Sequence, residues 1–307
     1  MTTIASLKDR YTEVRERIAN AASRAGAAAH NVLLIAVTKN AEPDQIRELI
    51  RLGHTDFGEN RVLQLIQRAA IIDEWMQRHR TVPGVIPPPP TSHPRSGERG
   101  HQDERGHQDE RGHQDERGHQ DERGHPDSDW HTPAMPGTVR WHMIGHLQRN
   151  KARKVVDVCR LIHSVDSLRL AEELQLIGMK REKPIDVLVQ VNCSGERQKQ
   201  GCAIAAAPHL ISEIETMIQL RVRGLMTMAP LSDSPEDSRD TFARCRELFD
   251  EVRDSGDVPP TFNILSMGMS GDYEVGIQEG ANMVRVGTAL FGAPLPGDTV
   301  GDEAEEE

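Results

Sequence analysis

The stretch Val32–Thr38 reads VLLIAVT, ends at Lys39 and is followed by the turn sequence Asn40-Ala41-Glu42-Pro43. A short uninterrupted apolar run is typical of a strand that is buried on both faces in a parallel sheet. A doubly wound open sheet would need a glycine-rich phosphate-binding turn after such an early strand. Because the turn after Thr38 contains no glycine, this stretch favours a closed parallel barrel over the open sheet.

The remainder of the chain alternates short apolar runs with amphipathic helical patterns, which predicts an α/β fold. The predicted strands are Val32–Thr38, Thr55–Phe57, Arg140–Ile144, Leu161–Val165, Asp186–Val191, Arg223–Met226, Asn263–Ser266 and Met283–Val286. The predicted helices are Pro43–Leu52, Arg61–Arg78, Ser167–Gly178, Ala207–Ile218 and Pro235–Asp254, with an extra helix over Ile4–Arg24 before the first strand. Eight strands, each followed by helical sequence, indicate a single (β/α)8 TIM barrel with an extra N-terminal helix.

Residues 80–138 break this alternation, because they contain a run of four prolines and then a six-residue repeat of the type ERGHQD between Glu98 and Asp127. With almost no apolar residues, this segment cannot bury enough surface to offset the entropy of ordering it. We predict a disordered low-complexity insertion at 80–138, which divides the barrel into residues 1–79 and 139–293. Residues 294–307 are predicted to be an acidic disordered tail. The repeated histidines could capture a metal, but isolated flexible histidines bind weakly, so a solvated spacer is favoured and no metal site is predicted.

The net charge of −11 is concentrated in the repeats and the tail, which leaves an almost neutral body. The chain therefore lacks the basic stripe that nucleic-acid binding requires. Its first residues carry charge throughout, and no uncharged apolar run approaches the roughly 18 residues of a membrane span. The four cysteines form no C-x-x-C pair. These features predict a cytoplasmic protein with reduced thiols and without a nucleic-acid or membrane partner.

The active site of a TIM barrel lies at the carboxyl ends of its strands, and Lys39 stands at the end of the first. A lysine at the mouth of an apolar barrel loses hydration, which favours a neutral, nucleophilic amine. The alternative is a lysine that extends to the rim or pairs with an acid. Other polar or small residues also lie at the carboxyl ends of predicted strands or just after them: Glu59, Asn60, His142, Gly145, His146, Ser164, Asn192 and Thr227.

The last two predicted strands end in the loops Ser266–Asp272 (SMGMSGD) and Arg285–Thr288 (RVGT). Small residues there expose backbone N–H groups and hydroxyls, and barrels commonly bind phosphate after strands seven and eight. Each loop alone could also be an ordinary glycine turn. A lysine that can form an imine, together with a phosphate-binding loop pair, indicates a site for pyridoxal 5′-phosphate (PLP).

Several motifs together make the chain similar to the pyridoxal phosphate homeostasis proteins, whose barrel is like the N-terminal domain of fold-type III enzymes such as alanine racemase. The matching segments are LLIAVTK (Leu33–Lys39), FGEN (Phe57–Asn60), WHMIGHLQRNK (Trp141–Lys151), HSVDS (His163–Ser167), VQVNCSGERQKQG (Val189–Gly201), RGLMTM (Arg223–Met228), SMGMSGD (Ser266–Asp272) and VRVGTALFG (Val284–Gly292). They occur in the expected order over nearly the whole chain outside the insertion. The resemblance implies a fold-type III PLP-binding barrel and a role in vitamin B6 homeostasis.

The resemblance also implies roles for individual residues. Lys39 matches the lysine that forms the Schiff base, and Asn60 matches an asparagine beside the cofactor. Gly287 and Thr288 match the phosphate-binding pair.

Ser266 or Ser270 would supply further hydroxyls to the phosphate, and Arg285 matches an arginine that faces the pyridine nitrogen in the related racemases. The chain departs from the family where His146 stands in place of a proline or similar residue, and where Asn40 follows Lys39. These departures, like the histidine repeat, leave the imine lysine and the phosphate-binding residues unchanged.

An arginine beside the pyridine nitrogen makes the ring a weak electron sink, and the racemases add a tyrosine from a second, β-rich domain. We expect no such domain here, and the two tyrosines, Tyr11 and Tyr273, lie in or next to predicted helices. We therefore expect a PLP-binding protein without conventional catalysis and without catalytic residues. It would be a monomer or weak dimer that hands PLP transiently to acceptor enzymes. A fold-type III amino-acid racemase or lyase is the alternative, followed by a Schiff-base aldolase or sugar-phosphate barrel.

Overall fold

The computed structural model of the chain describes residues 5–79, 138–196 and 199–292. The predicted tail at 294–307 and all but the last residue of the predicted insertion at 80–138 lie outside the described residues. The predicted disorder of both segments therefore stays a prediction from the sequence. The same holds for the predicted spacer role of the histidine repeats.

Eight parallel strands of the described chain form a closed barrel, which confirms the predicted (β/α)8 fold. Strand β1 pairs with β2 on one side and with β9 on the other, and the pairing of β4 with β5 completes the ring. The ninth strand, β6, has two residues and extends the sheet only at the end of β5. The strands are β1 (Leu33–Val37), β2 (Asp56–Glu59), β3 (Arg140–Met143), β4 (Cys159–Val165), β5 (Ile185–Asn192), β6 (Cys202–Ala203), β7 (Leu220–Met226), β8 (Ile264–Ser266) and β9 (Met283–Val286).

Helices surround the barrel, and those after α1 alternate with the strands along the sequence. They are α1 (Leu7–Arg24), α2 (Pro43–Arg51), α3 (Val62–His79), α4 (Ala152–Val156), α5 (Leu168–Arg181), α6 (Ala207–Glu215), α7 (Arg239–Asp254), α8 (Tyr273–Gln278) and α9 (Thr288–Phe291). Within the described ranges, no helix combines the length and the apolar character that crossing a bilayer would require.

The extra N-terminal helix is confirmed as α1, and it begins at Leu7 because Ser6 caps it. The Ser6 hydroxyl accepts a hydrogen bond from the backbone N–H of Asp9 at 3.2 Å, while the Asp9 carboxylate accepts one from the backbone N–H of Ser6 at 3.1 Å. This reciprocal capping box satisfies two N–H groups at the helix start. Helix α1 packs against α8 and α9, and Arg10 donates from Nε to the carbonyl oxygen of Leu290 at 2.6 Å.

Two groups of buried apolar residues hold the fold together. The larger one joins the outer faces of the strands to the helices. The smaller one takes each of its six side chains from a different strand, as expected of the inside of a barrel: Ile35, Leu161, Leu188, Met226, Ile264 and Met283. Because side chains alternate along a strand, the run in β1 sends Ile35 inward and Leu34 and Ala36 outward. This explains why the strand is apolar on both faces.

Candidate functional site

A cavity of about 350 Å³ opens at the carboxyl ends of β1, β2, β7, β8 and β9. Five of the seven predicted cofactor-binding residues line it: Lys39, Asn60, Ser270, Gly287 and Thr288. The remaining two, Ser266 and Arg285, are buried inside the barrel. The chain therefore brings the predicted imine lysine and the predicted phosphate-binding loops to the wall of one cavity.

Lys39 follows the last residue of β1 by two positions, and it is exposed where it lines the cavity. The expected loss of water around its amine is therefore not observed. The backbone of the Lys39 turn is held by the guanidinium of Arg68 on α3. Arg68 donates to the carbonyl oxygens of Thr38, of Ala41 at 3.0 Å and of Lys39 at 3.4 Å. Arg68 thus holds the turn that carries the lysine against the neighbouring helix.

The same guanidinium is paired with Glu59, whose side chain is completely buried at the end of β2. The Glu59 carboxylate also accepts hydrogen bonds from the Thr38 hydroxyl at 2.6 Å and from the backbone N–H of Asn60 at 3.2 Å. A buried carboxylate is stable only when it is paired and fully hydrogen-bonded. The cluster of Arg68, Glu59 and Thr38 consequently fixes the ends of β1 and β2 relative to each other, and with them Lys39 and Asn60.

Asn60 is positioned from its other side by Gly145, in the loop after β3. A Cβ atom at Gly145 would lie 2.2 Å from the carbonyl oxygen of Asn60. No side chain fits at that distance, so the approach of this loop to Asn60 requires a glycine. Gly145 was predicted to lie at a strand end, but this role was not predicted from the sequence.

The loops after β8 and β9 meet at Ser270. The Ser270 hydroxyl accepts hydrogen bonds from the backbone N–H of Gly287 at 3.0 Å and of Ala289 at 3.4 Å, and Thr288 between them is exposed in the cavity wall. Asp272 orders the β8 loop by accepting from the backbone N–H of Met269 at 2.6 Å. Because these two N–H groups donate to Ser270, the donors that this corner of the cavity offers to phosphate oxygens are the hydroxyls of Ser270 and Thr288.

Arg285 precedes Gly287 by two residues on β9 and extends into the barrel. Its guanidinium donates to the Ser266 hydroxyl at 2.6 Å and to the carbonyl oxygen of Thr227 at 2.8 Å. Burial lowers the pKa of Arg285 to about 10, partly offset by the charge of Asp272, so the side chain is still a cation at neutral pH. Ser266 therefore contacts Arg285 and lies in the barrel interior, apart from the Ser270 corner.

The loop after β7 supplies a part of the cavity wall that the sequence analysis missed. Ser232, Ser234 and Ser238 line the cavity, together with the exposed side chain of Leu231. The signal was available, because the carboxyl end of β7 lies on the same face of the barrel as the end of β1. Arg68 was also missed, since nothing in the helical pattern of α3 distinguishes it from a surface arginine.

A second cavity of about 320 Å³ lies beside the ends of β3 and β4 and is lined by polar residues that include His146, Arg149, Asp166 and Arg169. None of the seven predicted cofactor-binding residues lines it. The cavity at Lys39 is therefore the candidate site.

Comparisons with known proteins agree with this fold. The family model of the alanine racemase N-terminal domain matches residues 13–294. A pyridoxal phosphate homeostasis protein of Aquifex aeolicus is 31% identical over 284 residues, which cover 92% of this chain and 96% of the relative.

Solved structures are also similar to the chain. PipY of Synechococcus elongatus PCC7942, with PLP bound, superposes with a TM-score of 0.63 at 27% identity, covering 94% of this chain and all of PipY. An alanine racemase of Clostridium difficile gives a TM-score of 0.57 at 13% identity, covering 97% of this chain but 61% of the racemase. The racemase comparison supports the fold alone.

Proposed function

We propose a function from one premise: the chain belongs to the family of pyridoxal phosphate homeostasis proteins, which is built on the alanine racemase N-terminal domain. The chain binds PLP in the cavity at the carboxyl ends of the strands, as a Schiff base on Lys39. It serves in intracellular vitamin B6 homeostasis. PLP, when bound, supplies an aldehyde that forms an imine with a lysine amine.

The observation that carries this proposal is the composition of the cavity wall. It combines the exposed amine of Lys39 with the hydroxyls of Ser270 and Thr288 and the backbone of Gly287 in one space of about 350 Å³. The lysine provides the nucleophile and the loops provide phosphate donors. The cationic Arg285 lies behind this wall and disfavours a protonated ring nitrogen in a cofactor bound beside it.

A second observation supports binding without conventional catalysis. A racemase needs an acid–base group on each face of the substrate, and neither tyrosine of the chain lines the cavity. Tyr11 is in α1, where its hydroxyl lies 3.4 Å from Nδ1 of His54. Tyr273, at the start of α8, is buried beneath the guanidinium of Arg17 of α1, and burial raises the pKa of Tyr273 to about 12. Neither tyrosine is therefore placed in the cavity wall with Lys39.

The proposal extends to the setting of the protein. The chain works in the cytoplasm as a monomer or weak dimer, and its partners are PLP and the apoenzymes that accept PLP transiently. Transfer is tested by mixing the PLP-loaded protein with an apoenzyme beside a trap for free PLP. Recovery of enzyme activity with the trap present supports direct transfer, and loss of the recovery contradicts it.

The function is tested by adding PLP to the purified protein and recording visible absorbance. The wild-type protein should become yellow and retain PLP through gel filtration, whereas Lys39→Ala should not. Lys8→Ala is the control, because Lys8 is an exposed lysine of α1, and this variant should behave like wild type. Racemisation of L-alanine or L-serine is then measured against free PLP. Binding without racemisation above that background supports the proposal, racemisation by the bound protein supports the racemase alternative, and equal retention by Lys39→Ala contradicts the assigned lysine.

A further inference from the structure

A continuous chain of buried hydrogen bonds crosses the inside of the barrel and ends at Arg285. Asp56 Oδ1 lies 3.2 Å from Nε2 of His142, whose Nδ1 lies 3.0 Å from Nε2 of His163. Nδ1 of His163 lies 3.3 Å from the Ser266 hydroxyl, which lies 2.6 Å from Nη1 of Arg285. All five side chains are buried, and they come from β2, β3, β4, β8 and β9. The proposed function uses only Arg285 among these groups.

The carboxylate of Asp56 determines the direction of the hydrogen bonds when both histidines are neutral. An ionised carboxylate can only accept, so His142 carries its proton on Nε2 and donates it to Asp56. Nδ1 of His142 then accepts from Nε2 of His163, and Nδ1 of His163 accepts from the Ser266 hydroxyl. At the other end the guanidinium of Arg285 can only donate, so the Ser266 oxygen accepts from it. Each group in the chain is both satisfied and restricted to one arrangement.

This arrangement requires two neutral histidines, and their surroundings provide them. Burial lowers the pKa of His142, although the hydrogen bond to Asp56 opposes this effect. Burial, followed by the neighbouring His142 and the charge of Arg285, lowers the pKa of His163 well below its usual value.

At the far end, burial disfavours the charge of Asp56, but the hydrogen bond from His142 and the charge of Arg140 hold its pKa below the usual range. Arg140 donates to Oδ2 of Asp56 at 2.6 Å, and Thr55 donates to the same oxygen at 2.7 Å. The chain thus runs from a fixed anion to a fixed cation through neutral groups.

We propose that Asp56, His142, His163 and Ser266 are positioning residues that hold the Arg285 guanidinium in one orientation behind the cofactor cavity. Ser266 acts by accepting from Arg285, and the other three act by keeping the Ser266 hydroxyl turned so that its lone pairs face Arg285. The effect on bound PLP rests on the proposed function, whereas the order of protons is a property of the protein itself.

The order of protons is tested by ¹⁵N NMR of the full chain labelled at histidine, near neutral pH. His142→Gln and His163→Gln identify the two signals among the 14 histidines. Both rings should show a protonated Nε2 and an unprotonated Nδ1. In Asp56→Asn the signals of His163 should change as well as those of His142, although His163 does not contact Asp56. A proton on Nδ1, or on both nitrogens, of either ring in the wild-type protein would contradict the proposed directions of the hydrogen bonds.

The effect on the cofactor is tested with Ser266→Ala in the full chain. Losing a hydrogen bond to a charged group should weaken PLP binding about tenfold and shift the absorption band of the bound cofactor. His54→Gln is the control, because His54 is a buried histidine outside the hydrogen-bond chain, with contacts to the backbone oxygen of Asp56 at 2.8 Å and to the hydroxyl of Tyr11 at 3.4 Å. It should leave affinity and band unchanged. Wild-type affinity and an unshifted band in Ser266→Ala would overturn the positioning role. A wild-type protein that binds no PLP would refute the proposed function, and the NMR result alone would then decide whether the hydrogen bonds run in the proposed direction.

Discussion

Replacing Arg68 by methionine should destabilise the protein far more than the loss of a surface arginine. The Glu59 side chain is completely buried, and the Arg68 side chain is 17% exposed. Methionine keeps most of the aliphatic bulk but removes the charge, so the Glu59 carboxylate is left buried without its cation. Breaking a buried ion pair from one side costs about 3–5 kcal/mol of unfolding free energy.

The environment of Glu59 decides where in that range the cost falls. The hydrogen bonds from Thr38 and Asn60 survive the substitution and solvate part of the carboxylate. However, the carbonyl oxygens of Thr38 and Ala41 lose their donor, at about 1 kcal/mol for each bond. The hydrogen bonds that Glu59 keeps lower the cost of the substitution by about as much as the lost donors of the two carbonyl oxygens raise it. We therefore expect a loss of about 4 kcal/mol of unfolding free energy, in the middle of the range.

The assay is urea denaturation of wild type, Arg68→Met, Glu59→Gln and the double variant. Glu59→Gln in the double variant removes the unpaired charge and should restore part of the stability that Arg68→Met loses. Arg47→Met is the control, because Arg47 pairs with Asp44, which is 90% exposed, and such a pair is worth less than about 1 kcal/mol. A loss in Arg68→Met no larger than in Arg47→Met would refute the role given to the buried pair.

The remaining predictions concern the phosphate corner, acid stability and the insertion. Thr288→Val and Ser270→Ala should each weaken PLP binding by about 1.5–3 kcal/mol in a titration, and unchanged affinity in both would show that the phosphate lies elsewhere. Burial lowers the pKa of His54 from its usual value to about 4, so the unfolded chain binds a proton that the folded chain does not. Urea denaturation should show about 2 kcal/mol of stability lost through this group between pH 7 and pH 5, absent from His54→Gln; an equal loss in both would contradict it. Deleting residues 85–135 should leave PLP affinity and melting temperature unchanged, with or without zinc, because loop-closure entropy varies slowly with length; a large fall in either would mean that the segment contributes to the fold.

The barrel was predictable because each strand carries its own local signal. All eight predicted strands are present, and the largest error is at β7, predicted from Arg223 but beginning at Leu220. Leu220 and Val222 are buried and alternate with the charged residues Arg221 and Arg223, so the amino end of β7 lacks a continuous apolar run like that of β1. The two-residue β6 was not predicted, because its pairing with β5 depends on the path of the loop rather than on its own sequence.

The site was predictable where a position along a strand decides the outcome, and less so where packing between elements decides it. Lys39, Asn60 and Thr288 follow strand ends, and all parallel strands end at the same face. The part played by Arg68 depends on how α3 lies across the Lys39 turn. The placement of Ser266 in the barrel interior depends on the contact with Arg285, which two separate loops could not reveal from sequence.

Chemical reduction of the bound cofactor tests directly whether Lys39 forms the imine with PLP. The full chain is incubated with PLP and reduced with borohydride, which converts an imine to a stable secondary amine. Peptide mapping by mass spectrometry then locates the pyridoxyl group. We expect one dominant label on Lys39, after the end of the apolar strand β1, and the loss of that label in Lys39→Ala. A dominant label on any other lysine, or no label in a protein that retains PLP, would contradict it.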